Sequence, residues 1–180
     1  FLYVKDLIAN GYIGDLLSCT VTQHQGGLVN TRDSGRSWMA DSSMGVNPLT
    51  VGFAHLVDWL TQVIGPFTQI SGHISTQVPV WKEIDTGNEI TVTSPDTIMV
   101  TGRLQGGAVA SITVASAPYH GSGMRLELHG TTGTIIATSE ANSHIGPVEV
   151  FGCQKNEPLA NLEIPTTFRL CLLYTSDAAD

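Results

Sequence analysis

Residues 47–65 carry the clearest hydrophobic pattern in the chain. Leu49, Phe53, Leu56, Leu60 and Val63 recur at helical spacing and mark one buried stripe. Asn47 is a good N-cap residue, Pro48 suits the first helical position, and Gly65-Pro66 ends the segment. The pattern predicts a helix here. Residues 1–11 read as the end of another helix, closed by Gly11. Between the two, residues 16–25 alternate, with Leu17, Cys19 and Val21 set against Ser18, Thr20 and Thr22, which predicts a strand with one buried face. Residues 26–45 are polar and rich in Gly, Ser, Asp and Arg around one aromatic, Trp38. An irregular segment of that length inside a compact domain is usually functional or disordered.

After the helix the period changes to two. Strands are predicted at 67–78, 89–93, 96–104, 108–115, 124–130 and 134–138, with one more at 148–152. Residues 79–88, with Trp81, read as a loop, and so do residues 118–123. Gln105-Gly106-Gly107 reads as a tight hairpin and Thr131-Thr132-Gly133 as a turn. One long helix followed by successive hairpins predicts an α+β domain of two layers, a broad, mainly antiparallel sheet with helices on one face. No glycine-rich turn joins a strand to a helix: Gly102, Gly106 and Gly107 fall in a hairpin context, and Gly121 and Gly123 precede a strand. The sequence therefore holds no phosphate cradle of the dinucleotide or P-loop kind.

Composition narrows the class. The 180 residues are 42% hydrophobic and 13% charged, which suits one globular domain with a real core. A net charge of −8, with only eight Lys plus Arg, disfavours nucleic acid and anionic membrane surfaces as partners. No apolar run is long enough to cross a membrane. Cys19, Cys153 and Cys171 form neither a disulfide framework nor a CxxC pair, which predicts a reducing, cytoplasmic setting. His24, His73, His129 and His144 share no ligand spacing, so no metal site is expected. The chain starts at Phe1 in what reads as the middle of a helix, and residues 171–180 resemble the in-frame translation of a sequencing-library adapter. The expectation is a fragment: one domain over 1–170 and a non-native tail over 171–180.

The candidate chemistry centres on the helix. His55 sits on the shoulder of the apolar stripe beside Gly52 and Trp59, while Asp58 points nearly opposite and reads as structural. A histidine so placed is either a satisfied structural residue or a group that reaches a small molecule in the space Gly52 leaves. Trp38 and Asp41 are pocket residues or loop anchors, Asn47 a pocket residue or a cap, and His120 a pocket residue or a solvated one. No Ser, His and Asp set looks like a nucleophile elbow.

Five short motifs occur in order. They are Leu7-Ile8-Ala9-Asn10-Gly11-Tyr12-Ile13-Gly14-Asp15; Trp38 to Asp41 with Gly45; His55-Leu56-Val57-Asp58-Trp59-Leu60 with Gly65; Gly106-Gly107-Ala108-Val109-Ala110-Ser111-Ile112; and Leu126-Glu127-Leu128-His129-Gly130 with Gly133-Thr134. In this order and spacing, residues 1 to about 165 resemble the C-terminal domain of the Gfo/Idh/MocA family, the glucose-fructose oxidoreductase and inositol dehydrogenase group. Asn47-Pro48-Leu49-Thr50 with Gly52-Phe53-Ala54-His55 looks closest to the branch that includes the yeast galactose-pathway repressor.

The resemblance implies an upstream Rossmann domain that binds NAD or NADP and is missing here. It also implies a sugar-like or polyol substrate, and a homodimer or homotetramer built through the sheet face. His55 falls on the histidine that faces the substrate hydroxyl in catalytic relatives, with Trp38, Asp41, Asn47 and His120 as pocket walls. The assisting lysine would lie on the missing half. Many of these dehydrogenases place an aspartate one helical turn before that histidine. Here the position is Val51, as suits a non-catalytic, dinucleotide-sensing regulator of the same fold. The fragment itself is expected to catalyse nothing.

Overall fold

In the computed structural model, residues 1–26, 31–117, 119–142 and 146–168 are described. The tail expected at 171–180, with Cys171, lies outside them, as do His144, Pro118 and residues 27–30. The chain runs through α1 (Leu2–Ala9), β1 (Leu16–Gly26), β2 (Thr31–Arg32), α2 (Ala54–Ile64), β3 (Phe67–Ser75), β4 (Val80–Glu83), β5 (Glu89–Thr91), β6 (Thr97–Leu104), β7 (Val109–Ala117), β8 (Gly123–Gly130), β9 (Gly133–Ser139), β10 (Glu149–Gln154) and β11 (Ala160–Asn161). Eight strands form one sheet in the order β11-β10-β9-β8-β1-β7-β6-β3. Every neighbouring pair is antiparallel except β1 and β7, which run parallel with Ser18 opposite Val109.

The period-two pattern of each strand puts one set of side chains on the helix side. Cys19, Val21, Ile112, Leu126, Leu128, Ile135 and Ala137 are buried there against Val4 of α1 and Leu56 and Leu60 of α2. Both helices lie on this face, as the sequence predicts. The other face sets small polar residues in register at its centre, Thr20 beside Ser111 and Ser111 beside Thr101, with Arg125 and Glu127 opposite Thr22 and Thr20 and with Met99 and Val109 exposed. The chain leaves α1 at Gly11, where φ is 75°, a backbone region that glycine enters without steric cost. No helix among the described residues is long and apolar enough to cross a membrane.

Three expectations need correction. Residues 79–88 are not all loop: Val80–Glu83 form β4, and Trp81 is buried there. Residues 89–93 do not extend the main sheet; Glu89–Thr91 pair with β4 in a second, three-stranded sheet ordered β2-β4-β5. Its core is Ala40, Trp81 and Val92. The strand expected over 67–78 stops at Ser75, because the Asp96 carboxylate takes the next backbone amides, from Gln77 and Val78.

The polar stretch before α2 is ordered by these same neighbours. Two 3-10 turns, Ser37–Ala40 and Ser42–Met44, follow β2. The Ala40 carbonyl accepts from the amides of Thr93 and Ser94, and the Ser94 hydroxyl donates to the Met39 carbonyl. These bonds set the stretch beside the start of the long helix.

Candidate functional site

The helical segment does not begin as an α-helix. Leu49–Phe53 form a π-helical turn, in which the Phe53 amide donates to the Pro48 carbonyl at 2.8 Å, five residues back. Such turns are uncommon and occur often at functional sites, because the extra residue moves side chains off the regular stripe. Asn47, 9% exposed, caps the segment: its Oδ1 accepts from the amides of Leu49 at 3.1 Å and Thr50 at 3.2 Å. The Thr50 hydroxyl donates to the Gly45 carbonyl at 2.6 Å and closes the preceding turn. A Cβ at Gly52 would meet nothing within 4 Å, so the wall of this turn faces open space.

That space is a cavity of about 190 Å³. It lies where the ends of β1 and β7 (Gln25, Ser116) meet the π turn (Asn47, Val51, Gly52) and the small sheet (Arg32, Trp81). The guanidinium of Arg32 sits 5.2 Å from the centre of the Trp81 ring, a cation–π contact. Burial lowers the Arg32 pKa, the nearby Arg36 adds to the effect, and Asp33 offsets part of it. Arg32 Nε and Trp81 Nε1 are both shielded from water and have no acceptor among the described residues. Asp96 also lines the cavity, but its carboxylate already accepts from the amides of Gln77 and Val78 and from the Thr97 hydroxyl.

Of the residues singled out in the sequence, Asn47, Val51 and Gly52 line this cavity, whereas His55, Trp38, Asp41, His120 and Asp58 do not. His55 is the second residue of α2, exposed, and one turn beyond Val51. Trp38 is 42% exposed on the first 3-10 turn. Asp41 is exposed and caps the second 3-10 turn by accepting from the Ser43 amide at 2.8 Å, which holds its carboxyl below the usual range. His120 is exposed on a loop that crosses the end of β1 so closely that a Cβ at Gly121 would lie 2.0 Å from the His24 carbonyl oxygen. Asp58 is exposed on α2.

Arg32, Trp81 and Gln25 were not singled out in the sequence. One signal pointed to Arg32: in a chain with eight Lys plus Arg, a cation between the first strand and the helix stands out. Nothing local marked Trp81, because its strand has only four residues, Val80–Glu83, too few for alternation to register.

Comparison with known proteins gives a consistent answer. The family described as "Gal80p, C-terminal domain" matches residues 1–139. An uncharacterized oxidoreductase of Synechocystis is 24% identical over 166 residues, covering 91% of this chain and 44% of that protein. The structure of a super-repressor mutant of Gal80p from Saccharomyces cerevisiae superposes with a TM-score of 0.81 at 21% identity, over 91% of this chain and 45% of that one. A levoglucosan dehydrogenase in complex with NADH and L-sorbose superposes with a TM-score of 0.72 at 22% identity, over 91% and 44% of the two chains. The chain thus spans less than half the length of each of these proteins.

Proposed function

The chain belongs to the Gal80p C-terminal domain family, and on that premise we propose that it is the substrate-binding domain of an NAD(P)-dependent oxidoreductase acting on a sugar or similar polyol. The observation that carries this reading is the cavity beside the π turn, which brings polar side chains from four elements to a space one helical turn from His55. A cavity of about 190 Å³ is smaller than the roughly 300–1,000 Å³ typical for drug-sized ligands, and so suits a molecule of monosaccharide size. A dehydrogenase of the same fold in complex with L-sorbose supports the choice of substrate class.

In this reading His55 holds the proton of the substrate hydroxyl. Its imidazole accepts that proton as the alcohol becomes a carbonyl and returns it in the reverse direction, a role suited to a side chain type that titrates near neutral pH. Asn47 is a wall of the pocket, and in this reading Trp38, Asp41 and His120, which lie outside the cavity lining, would reach the substrate from its rim. NAD(P) would supply the hydride acceptor. This chain's own residues do not fit its phosphates, since Gly107 turns a hairpin and Gly123 opens a strand. We place the cofactor on a Rossmann domain in the longer protein. The open face of the sheet, away from the helices, is the surface on which two or four copies would assemble. Among the described residues Cys19 and Cys153 form no disulfide, which supports a cytoplasmic setting.

Val51 favours a second reading, a non-catalytic regulator that binds a dinucleotide. It presents an apolar, 40% exposed side chain to the cavity at the position where many dehydrogenases of the resembled family place an aspartate. One experiment separates the two: the longer protein assayed with NAD(P) and a panel of sugars, wild type against His55→Ala. Loss of turnover with cofactor binding retained is the expected result. A wild type that binds cofactor and turns over nothing supports the regulator, and equal activity of the two proteins removes His55 from the mechanism.

A further inference from the structure

We propose that the cavity beside the π turn takes an anionic sugar, one that carries a carboxylate, with the Arg32 guanidinium as its charge partner. The proposal rests on the reading of this cavity as a ligand site and does not need the hydride transfer. Its first ground is the balance of donors and acceptors in the wall. Arg and Trp side chains only donate, and these two lining residues hold buried N–H groups with no acceptor among the described residues. Buried donors are nearly always paired. The acidic group in the wall does not supply the pairing, because both oxygens of Asp96 already accept hydrogen bonds from backbone amides or the Thr97 hydroxyl. A ligand that satisfies this wall must bring acceptors.

Charge gives the second ground. Among the described residues no carboxylate pairs with Arg32 at 4.0 Å or less; Asp33, which lies 4.0 Å from Arg36, acts on Arg32 only from farther off. The chain as a whole is acidic, with a net charge of −8, and this cavity wall holds one cation, Arg32, and one carboxylate, Asp96, whose oxygens are engaged by the Gln77 and Val78 amides and the Thr97 hydroxyl. Half-burying a guanidinium costs free energy that a bound anion would offset. The Trp81 ring, its centre 5.2 Å from the guanidinium carbon, holds the group at the wall, and the planar fork of a guanidinium matches the two oxygens of a carboxylate.

A carboxylate is favoured over a phosphate by the state of the helix start. Phosphate sites usually draw on free amides at a helix N-terminus. Here the amides of Leu49 and Thr50 are already taken by the Asn47 side chain. One guanidinium and a small cavity remain, which suits a single carboxylate on a monosaccharide ring.

The test is a titration of the 180-residue chain, followed by NMR or calorimetry, with D-glucuronate, D-glucose and D-glucose 6-phosphate through the millimolar range. The expected result is saturable binding of glucuronate about tenfold or more tighter than glucose, the usual weight of a charge-assisted hydrogen bond. Arg32→Gln should abolish that preference, and Arg32→Lys, which keeps the charge and loses the planar fork, should keep part of it. Arg36→Gln should leave it intact. Should Arg32→Gln fail to fold, the Lys variant and the three-ligand comparison still decide. Equal affinity for glucuronate and glucose overturns the proposal. So does tighter binding of the phosphate sugar, no saturable binding, or a preference that survives in Arg32→Gln. His55-dependent turnover of neutral sugars alone by the longer protein would uphold the proposed function and sink this inference, so the two fail separately.

Discussion

Ser34 donates both its backbone N–H and its hydroxyl to the Asp85 carboxylate, at 2.9 and 2.6 Å, across 51 residues of chain. This pair ties the polar stretch before the helix to the turn after β4. The hydrogen bonds from Ser34 are also the main reason the Asp85 carboxyl is held below its usual range.

Replacing Asp85 with Ala should loosen the small sheet while the large one stays intact. The check is amide hydrogen exchange: faster exchange is expected in β4 and β5, with β1, β7 and β8 unchanged. Uniform change in both sheets would show that the two open together.

Asn47→Ala should remove the cap of the π turn and cost about 1 kcal/mol. For a domain of this size that corresponds to a fall of about 2–4 °C in Tm. Asn47→Asp keeps an acceptor for the amides of Leu49 and Thr50 and should restore most of the loss. Thermal unfolding of the three proteins settles it.

Burial pushes the Cys19 thiol up to about 12, whereas Cys153 is only partly buried. At neutral pH an alkylating reagent should label Cys153 in the folded protein and leave Cys19 untouched until denaturant is added. Peptide mapping by mass spectrometry reads the difference, and rapid native labelling of Cys19 would show that the sheet opens locally.

Glu127 accepts from Arg125 Nε at 2.5 Å, with His129 Nε2 at 3.6 Å from its other oxygen. The bond from Arg125 is the largest cause of its lowered pKa. A carboxyl depressed on folding adds stability above its unfolded pKa, about 4.3, and that stability is lost as pH falls through the lower folded value. The pair is partly exposed, so the effect should be under about 1 kcal/mol. Denaturant midpoints below about pH 4 should fall less steeply for Glu127→Gln than for wild type.

Where the fold was legible in the sequence, one face of an element was buried and the other was not. Cys19 and Val21 alternate with Thr20 and Thr22 because the strand has a helix side and an open side, and the stripe from Leu56 to Val63 repeats at 3.6 for the same reason. The small sheet was illegible because β2 has two residues and β4 four, too short for alternation to register. The parallel pairing of β1 with β7 leaves no local trace at all. The site divides in the same way. Asn47 was readable because capping is a local event, whereas Arg32 and Trp81 meet only through tertiary structure.

β1 carries one more consequence, for the order in which the molecule assembles. It is flanked by β7 on one side and β8 on the other, so it fills the slot between two groups of strands. The pairs β6–β7 and β8–β9 are hairpins whose contacts are close in sequence. Thr20 and Ser111, opposite one another in the register of β1 and β7, are 91 residues apart. Closing so long a loop costs entropy before any contact returns it, and non-local pairings slow folding. The hairpins are therefore expected to form early and β1 to join late. Until it does, β7 and β8 present two unpaired edges able to capture the same strand from another copy of the chain.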